Sequence, residues 1–174
     1  CDMVMIQQIL QEVPLFADLS PKDLQELTAS GEEFRLPAGE TLFEEGDSGA
    51  SAYVICYGEI EILKTSPDRP VLLAVHETGQ VIGEMALLLG SPRTATAKAK
   101  TNTILFGIGK KEFDDLLENS ASAANAMFHI VLSRLRSTDG MLRQSERMAQ
   151  LGTLTAGVAN ELTNPAAAVR RGAD

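Results

Sequence analysis

Between residues 31 and 109 the chain is cut into short β-type runs by turns that carry glycine or proline, and this punctuation restricts the fold more than any other feature. Ten of the fourteen glycines fall in this window, so regular structure there is repeatedly interrupted. Phe34-Arg35-Leu36, Thr41-Leu42-Phe43, Ala52 to Tyr57, Glu59 to Lys64, Val71 to Val75 and Thr103 to Ile108 read as strands. Ile60 and Ile62 alternate with Glu59 and Glu61, which marks a strand with one wet face. Pro37-Ala38-Gly39, Glu45-Gly46-Asp47-Ser48-Gly49, Tyr57-Gly58 and Ser66-Pro67-Asp68 supply the chemistry that turns require. Many short strands with regular turns predict a sandwich or barrel.

Both flanks are helical in pattern. Met5, Ile6, Ile9, Leu10 and Val13 recur at helical spacing until Pro14 stops them. Ser20-Pro21-Lys22-Asp23 is a start signal for a second helix, with Ser20 as N-cap and Pro21 at the first helical position. From Lys110 onward the chain is again helical, with Phe113, Leu116 and Leu117 on one face. No proline occurs between Ser120 and Asn164, and Met127, Ile130, Val131, Leu132, Leu135, Leu142, Met148, Leu151, Val158 and Leu162 form a drifting apolar seam. Gly140 weakens that helix by roughly 1 kcal/mol relative to Ala, so a bend near Thr138–Met141 is expected.

Composition narrows the function. The chain has 174 residues and is 44% hydrophobic, enough for one core and an extra segment. A net charge of −9 disfavours nucleic acid and anionic membrane as partners, because both repel an acidic surface. No apolar run is long enough to span a bilayer, and no secretory signal pattern opens the chain. Cys1 and Cys56 make no disulfide framework. These features predict a cytoplasmic protein. The chain starts without Met and stops on Arg170-Arg171-Gly172-Ala173-Asp174, and is read as a piece of a longer protein.

Chemistry concentrates in Gly83-Glu84-Met85-Ala86-Leu87-Leu88-Leu89-Gly90-Ser91-Pro92-Arg93-Thr94-Ala95-Thr96-Ala97. Gly83 allows close backbone approach. Glu84 to Leu89 can form one short helical turn whose free N–H groups suit an anion. Gly90-Ser91-Pro92 breaks it, and Arg93 brings a fork that matches phosphate oxygens. Thr94-Ala95-Thr96-Ala97 alternates like a strand. One arginine and one carboxylate point to a ligand with one phosphate and a hydroxyl. This stretch resembles the phosphate-binding cassette of cyclic nucleotide-binding domains, the family of bacterial catabolite-activator proteins and regulatory subunits of cAMP-dependent kinase. Arg93 stands nine positions after Glu84, at the family spacing. The resemblance runs over about residues 14–135, where Pro14-Leu15-Phe16 and Gly39, Gly46 and Gly58 also match.

The resemblance implies residue roles. Glu84 would bind the ribose 2′-hydroxyl and Arg93 the cyclic phosphate. Gly83, Met85, Ala86, Thr94 and Ala95 would line the ligand, with backbone N–H groups near Ala86 and Ala95 facing the phosphate. In this family a Thr at position 94 can favour cGMP, whereas many bacterial cassettes with Thr there take cAMP; cAMP or cGMP is therefore the expected regulatory ligand. The alternative is a barrel that no longer binds and serves as a dimerisation scaffold. No metal is expected, since His76 and His129 lie in different segments. Cys56 reads as a small core residue. Glu44 and Glu45 are adjacent and would face opposite sides of a strand. No catalytic constellation can be assembled, so the chain is expected to be regulatory and not an enzyme.

The last stretch carries a second resemblance. Arg147-Met148-Ala149-Gln150-Leu151-Gly152-Thr153-Leu154-Thr155-Ala156-Gly157-Val158-Ala159-Asn160-Glu161-Leu162-Thr163-Asn164-Pro165 is similar to the dimerisation and phosphoacceptor helix of sensor histidine kinases. Asn160 occupies the position of the phosphorylated His, by natural divergence or by substitution. An amide nitrogen is not nucleophilic, so no phosphate transfer is expected there, and Glu161 has nothing to activate.

The expected fold is thus α+β: an antiparallel β jelly-roll barrel with N-terminal and C-terminal helices, ending in a long dimerisation helix. The division is residues 1–30 for the N-terminal helices, 31–109 for the barrel, 110–137 for the lid helices and 138–174 for the start of the kinase region. The expected function is a cyclic nucleotide-binding input module of a two-component histidine kinase. Its partners would be a second copy through the C-terminal helices, a downstream ATP-binding domain and a response regulator, with neither nucleic acid nor membrane.

Overall fold

A computed structural model of the chain describes residues 2–136 and residue 143. Helix α1 (Met3–Glu12) buries Ile6 and Leu10 and ends just before Pro14. Helix α2 (Pro21–Ser30) starts as its sequence dictates: the Ser20 hydroxyl accepts from the Asp23 N–H at 3.1 Å, and Pro21 takes a position that needs no donor.

Eight strands follow. They are β1 (Glu32–Leu36), β2 (Thr41–Phe43), β3 (Ser51–Tyr57), β4 (Glu59–Lys64), β5 (Val71–Glu77), β6 (Val81–Ile82), β7 (Thr96–Ala99) and β8 (Thr103–Gly109). Helix α3 (Glu84–Leu89) interrupts them between β6 and β7. After β8 come α4 (Lys110–Asn119) and a further helix, α5, over residues 121–136. Ser120 separates the last two. Its backbone is extended, and its hydroxyl caps the new helix by accepting from the Ala123 N–H at 3.1 Å.

The strands form two antiparallel four-stranded sheets, ordered β1-β8-β3-β6 and β2-β7-β4-β5. They are not closed into a barrel, which corrects the expected architecture. Among the described residues only β4 and β5 pair as a simple hairpin, with Ile60 opposite His76 and Ile62 opposite Ala74. Elsewhere the chain changes sheets at its turns. At Gly58, whose φ is 94°, it leaves β3 in the first sheet for β4 in the second. Short β2 and β6 stand at sheet edges, and no ladder joins the two sheets among the described residues.

The central strand β3 explains the layering. Ala52, Val54 and Cys56 point to one face and join Leu10, Phe16, Phe106, Phe113, Leu116 and Met127 in a core shared with the helices. Ile55 points to the other face and packs between the sheets with Ile60, Ile82, Ala97, Ala99 and Leu105. A strand covered on both sides reads as an almost continuous apolar run, which is what Ala52 to Tyr57 shows. The second sheet keeps a wet outer face, where Glu59 pairs with Lys100 at 2.7 Å.

Candidate functional site

The cassette region lies where β6 gives way to α3. Gly83 adopts φ 76°, a left-handed conformation that side chains rarely take. A Cβ there would stand 2.7 Å from Nη1 of Arg93. Gly49 on the facing loop is equally crowded: a Cβ would meet the Arg93 guanidinium carbon at 2.9 Å. These two glycines make room for one arginine.

Arg93 is 5% exposed. Its Nη1 donates to the Gly83 carbonyl and its Nη2 to the Ser51 carbonyl, both at 2.9 Å. Phe43 stacks beneath the guanidinium at 4.1 Å, and Tyr53 stands farther off at 5.9 Å. The terminal nitrogens are thus turned towards backbone carbonyls. Burial lowers the Arg93 pKa, while Tyr53, Asp47 and Glu84 act in the opposite sense. A guanidinium keeps its proton under such shifts, so the site retains its positive charge.

Glu84 opens α3 and is 2% exposed. Its Oε1 and the Arg93 Nε are buried with no hydrogen-bond partner among the described residues. A buried donor left without a hydrogen bond is costly, and so is a buried acceptor whose nearest cation does not donate to it. Both residues line a cavity of about 260 Å³, together with Gly83, Met85, Ala86 and Ala95. Thr94 lines it too, with an exposed side chain and a carbonyl that accepts from Lys64 Nζ at 2.7 Å. Every site residue expected from the sequence therefore borders this cavity. Thr94 lies just before β7, not within it.

Sequence reasoning missed Arg134. This α5 side chain crosses to the cavity, with Nε 2.8 Å from Glu84 Oε1. It also contacts His76 and donates to the Val81 carbonyl. No local pattern distinguishes Arg134 from Arg136, and its partner lies fifty positions away. Burial first, then Arg134, pushes the His76 pKa down to about 4, so the ring is neutral near pH 7. The Cys56 thiol is buried and pushed up to about 11, which suits a core residue. Among the described residues no cluster of three His, Cys, Asp or Glu side chains is placed to hold a metal ion. Among them, too, no helix is long and apolar enough to cross a membrane. Residues 147–165, with Asn160 and Glu161, lie outside the described residues, as do Cys1 and the bend expected at Gly140.

The family profile described as "Cyclic nucleotide-binding domain" matches residues 33–120, which hold β1 to β8, α3 and α4. The chain belongs to this family. It is 34% identical over 113 residues to a "cAMP-dependent protein kinase regulatory subunit" of Pyricularia oryzae, covering 65% of this chain and 28% of that protein. The chain thus matches under a third of that relative's length. Among solved structures it is similar to the regulatory domain of Toxoplasma gondii PKA in complex with cAMP, with TM-score 0.66 and 28% identity, covering 80% of this chain and 53% of that one. It is also similar to the N-terminal domain of a transcriptional regulator from Streptomyces coelicolor, with TM-score 0.59 and 39% identity, covering 76% and 95%.

Proposed function

We propose that this chain is the cyclic nucleotide sensor of a larger signalling protein, with cAMP as its preferred ligand. One observation carries the reading: Glu84 and Arg93 are buried on one cavity of about 260 Å³, where Arg93 Nε has no hydrogen-bond partner among the described residues and Glu84 Oε1 meets the charge of Arg134 at 2.8 Å without accepting a hydrogen bond. A cyclic nucleotide supplies what each group lacks, since its phosphate accepts from an arginine and its ribose hydroxyl donates to a carboxylate. Gly83, Met85, Ala86, Thr94 and Ala95 complete the wall, and the backbone N–H groups of Ala86 and Ala95 take the remaining phosphate oxygens. The Pyricularia oryzae subunit is named for cAMP and the Toxoplasma gondii domain was solved with cAMP, which favours cAMP over cGMP. Ligand acts by binding one arrangement of the sandwich and its C-terminal helices better than another.

Calorimetric titration with cAMP and with cGMP tests the site. The wild-type chain should bind cAMP saturably. Arg93→Ala should weaken it about thirtyfold or more, because losing one partner of a buried charged pair costs about 2–5 kcal/mol. A thermal melt of the variant separates loss of binding from loss of fold. Absence of heat with both nucleotides would leave the domain as a scaffold without a nucleotide ligand.

The resemblance of residues 147–165 to a phosphoacceptor helix supports placing this sensor upstream of a histidine kinase transmitter. There it would pair with a second copy and signal towards an ATP-binding domain and a response regulator. Incubation with a separate kinase ATP-binding domain and labelled ATP should leave the chain unlabelled, and Asn160→His should gain label. Label on the Asn160 chain would overturn the assignment of Asn160 as inert.

A further inference from the structure

The ladder between β4 and β7 starts with Leu63 opposite Thr96. Residues 93–95 of the cassette come before that pair, so their backbone is held by contacts outside the ladder. The Arg93 N–H donates to the Asp47 carbonyl at 2.7 Å, and the Arg93 carbonyl accepts from the Gly46 N–H at 2.9 Å. Lys64, the last residue of β4, adds a third bond: its Nζ donates to the Thr94 carbonyl at 2.7 Å.

The same Nζ lies 2.8 Å from Oε1 of Glu45, on the loop that carries Gly46 and Asp47. Glu45 is tied on two further sides. Its Oε2 accepts from the Thr65 N–H at 2.7 Å, and its own N–H donates to Thr96 Oγ1 at 3.0 Å. One ion pair thus joins the end of β4, the loop between β2 and β3, and the cassette. Both side chains are partly buried. An isolated exposed pair contributes little, but one set in a network of backbone partners has already lost the freedom that pairing costs. Burial raises the Glu45 pKa, yet the bonds from Lys64 and Thr65 outweigh it and leave the value lowered, so the carboxylate is charged at neutral pH. Lys64 also lines the cassette cavity, and Arg93 and Ala95 flank the carbonyl that it holds.

We propose that Lys64 and Glu45 are positioning residues: together they brace the backbone at Thr94, so that Arg93 and Ala95 keep the spacing a phosphate-bearing ligand needs. The ligand rests on the nucleotide-sensor reading above; the brace itself does not. Lys64 works here as a donor and not as a free charge, since Glu45 neutralises it.

Calorimetry with cAMP separates a brace from a bare charge by sign. Were Lys64 only a nearby cation, Glu45→Ala would remove a repelling negative charge and tighten the binding of an anionic ligand. With a brace, Glu45→Ala should weaken cAMP about threefold or more, and so should Lys64→Met. Both losses should persist in high salt, where the effect of a bare charge is screened. Thermal melts of the two variants separate loss of binding from loss of fold. Tighter binding in Glu45→Ala, unchanged affinity in both variants, or a loss that vanishes in high salt would overturn the proposal. A second arm needs no nucleotide. Hydrogen exchange at the Gly46 and Arg93 amides should be faster in Lys64→Met and in Glu45→Ala, and the double variant should be no faster than the faster single one, because all three lose the same brace. Additive acceleration, or none, would refute the brace. Should this arm succeed while the wild-type chain binds neither nucleotide, the brace stands as a fixture of the fold, and its part in binding fails together with the nucleotide reading.

Discussion

At the scale of single residues, the cleft is built by removing side chains as much as by adding them. Gly49 and Gly83 leave the space that Arg93 fills, and Phe43 supports its flat face. His76 shows how such a setting acts on a titrating group. Burial and the neighbouring Arg134 hold its pKa near 4, whereas Gln80 acts weakly in the opposite sense. In the unfolded chain the same ring titrates near 6.5. Below that value the unfolded state takes up a proton that the folded state refuses, so stability is lost as pH falls from about 6.5 towards 4. Above 6.5 the ring is neutral in both states and contributes no slope. A gap of that size is worth on the order of 3 kcal/mol at the acid end. Urea denaturation between pH 4 and pH 7 should therefore show a steeper loss in the wild-type chain than in His76→Gln. Parallel curves would mean that His76 is not held neutral in the folded protein. Carboxylates titrate over the same interval, but they are common to both proteins and cancel in the difference.

At the scale of elements, the sequence was informative where a residue type has a mechanical reason to be in one place. Ser20-Pro21 announced the start of α2, and the Ser20 hydroxyl caps it. Thr41–Phe43 and Glu59–Lys64 match β2 and β4 residue for residue, because turn residues bound both. Other limits were misjudged. Val81–Ile82 is too short to show alternation, so β6 gave no signal before its pairing with Tyr53 and Val54 was seen. The run Thr94 to Ala97 alternates, yet the ladder begins only at Thr96, which pairs with Leu63. Alternation marks a half-buried strand but does not say with which strand it pairs. For that reason, eight short strands were compatible with a closed barrel, and only the sheet orders revealed two open sheets. The apolar seam begins at Met127, within the stretch expected to form the lid helices. Its first part is spent at home: Met127 is buried, and Ile130 and Val131 pack against the protein's own core. Phe128 and Leu135 remain exposed on α5.

At the scale of the whole molecule, cassette and helices share one apolar core. Leu87, three residues after Glu84, belongs to the same cluster as Leu10, Leu24, Phe106, Phe113, Leu116 and Met127. That cluster draws on α1, α2, α3, α4, α5 and the first sheet. The cassette was legible from sequence because its residue types recur at a fixed spacing, whereas this connection was not, since it joins positions far apart in the chain. A shared core has a thermodynamic consequence. Sandwich and helices cannot come apart without exposing the same apolar surface, so residues 2–136 should unfold in one cooperative step. Far-ultraviolet circular dichroism follows the helices, and the two tyrosines, Tyr53 and Tyr57 on β3, report on the sandwich. Thermal melts recorded by the two probes should coincide. A ligand that binds only the folded state, at one hundred times its Kd, should stabilise it by about 2.7 kcal/mol. For a domain of this size that corresponds to a rise of roughly 5–11 °C in Tm, and both probes should move together. If the helical signal melted first and only the tyrosine signal answered to cAMP, the helices would be a separate unit. The cassette would then bind without influencing them, and a sensor acting through its C-terminal helices would have lost its physical basis.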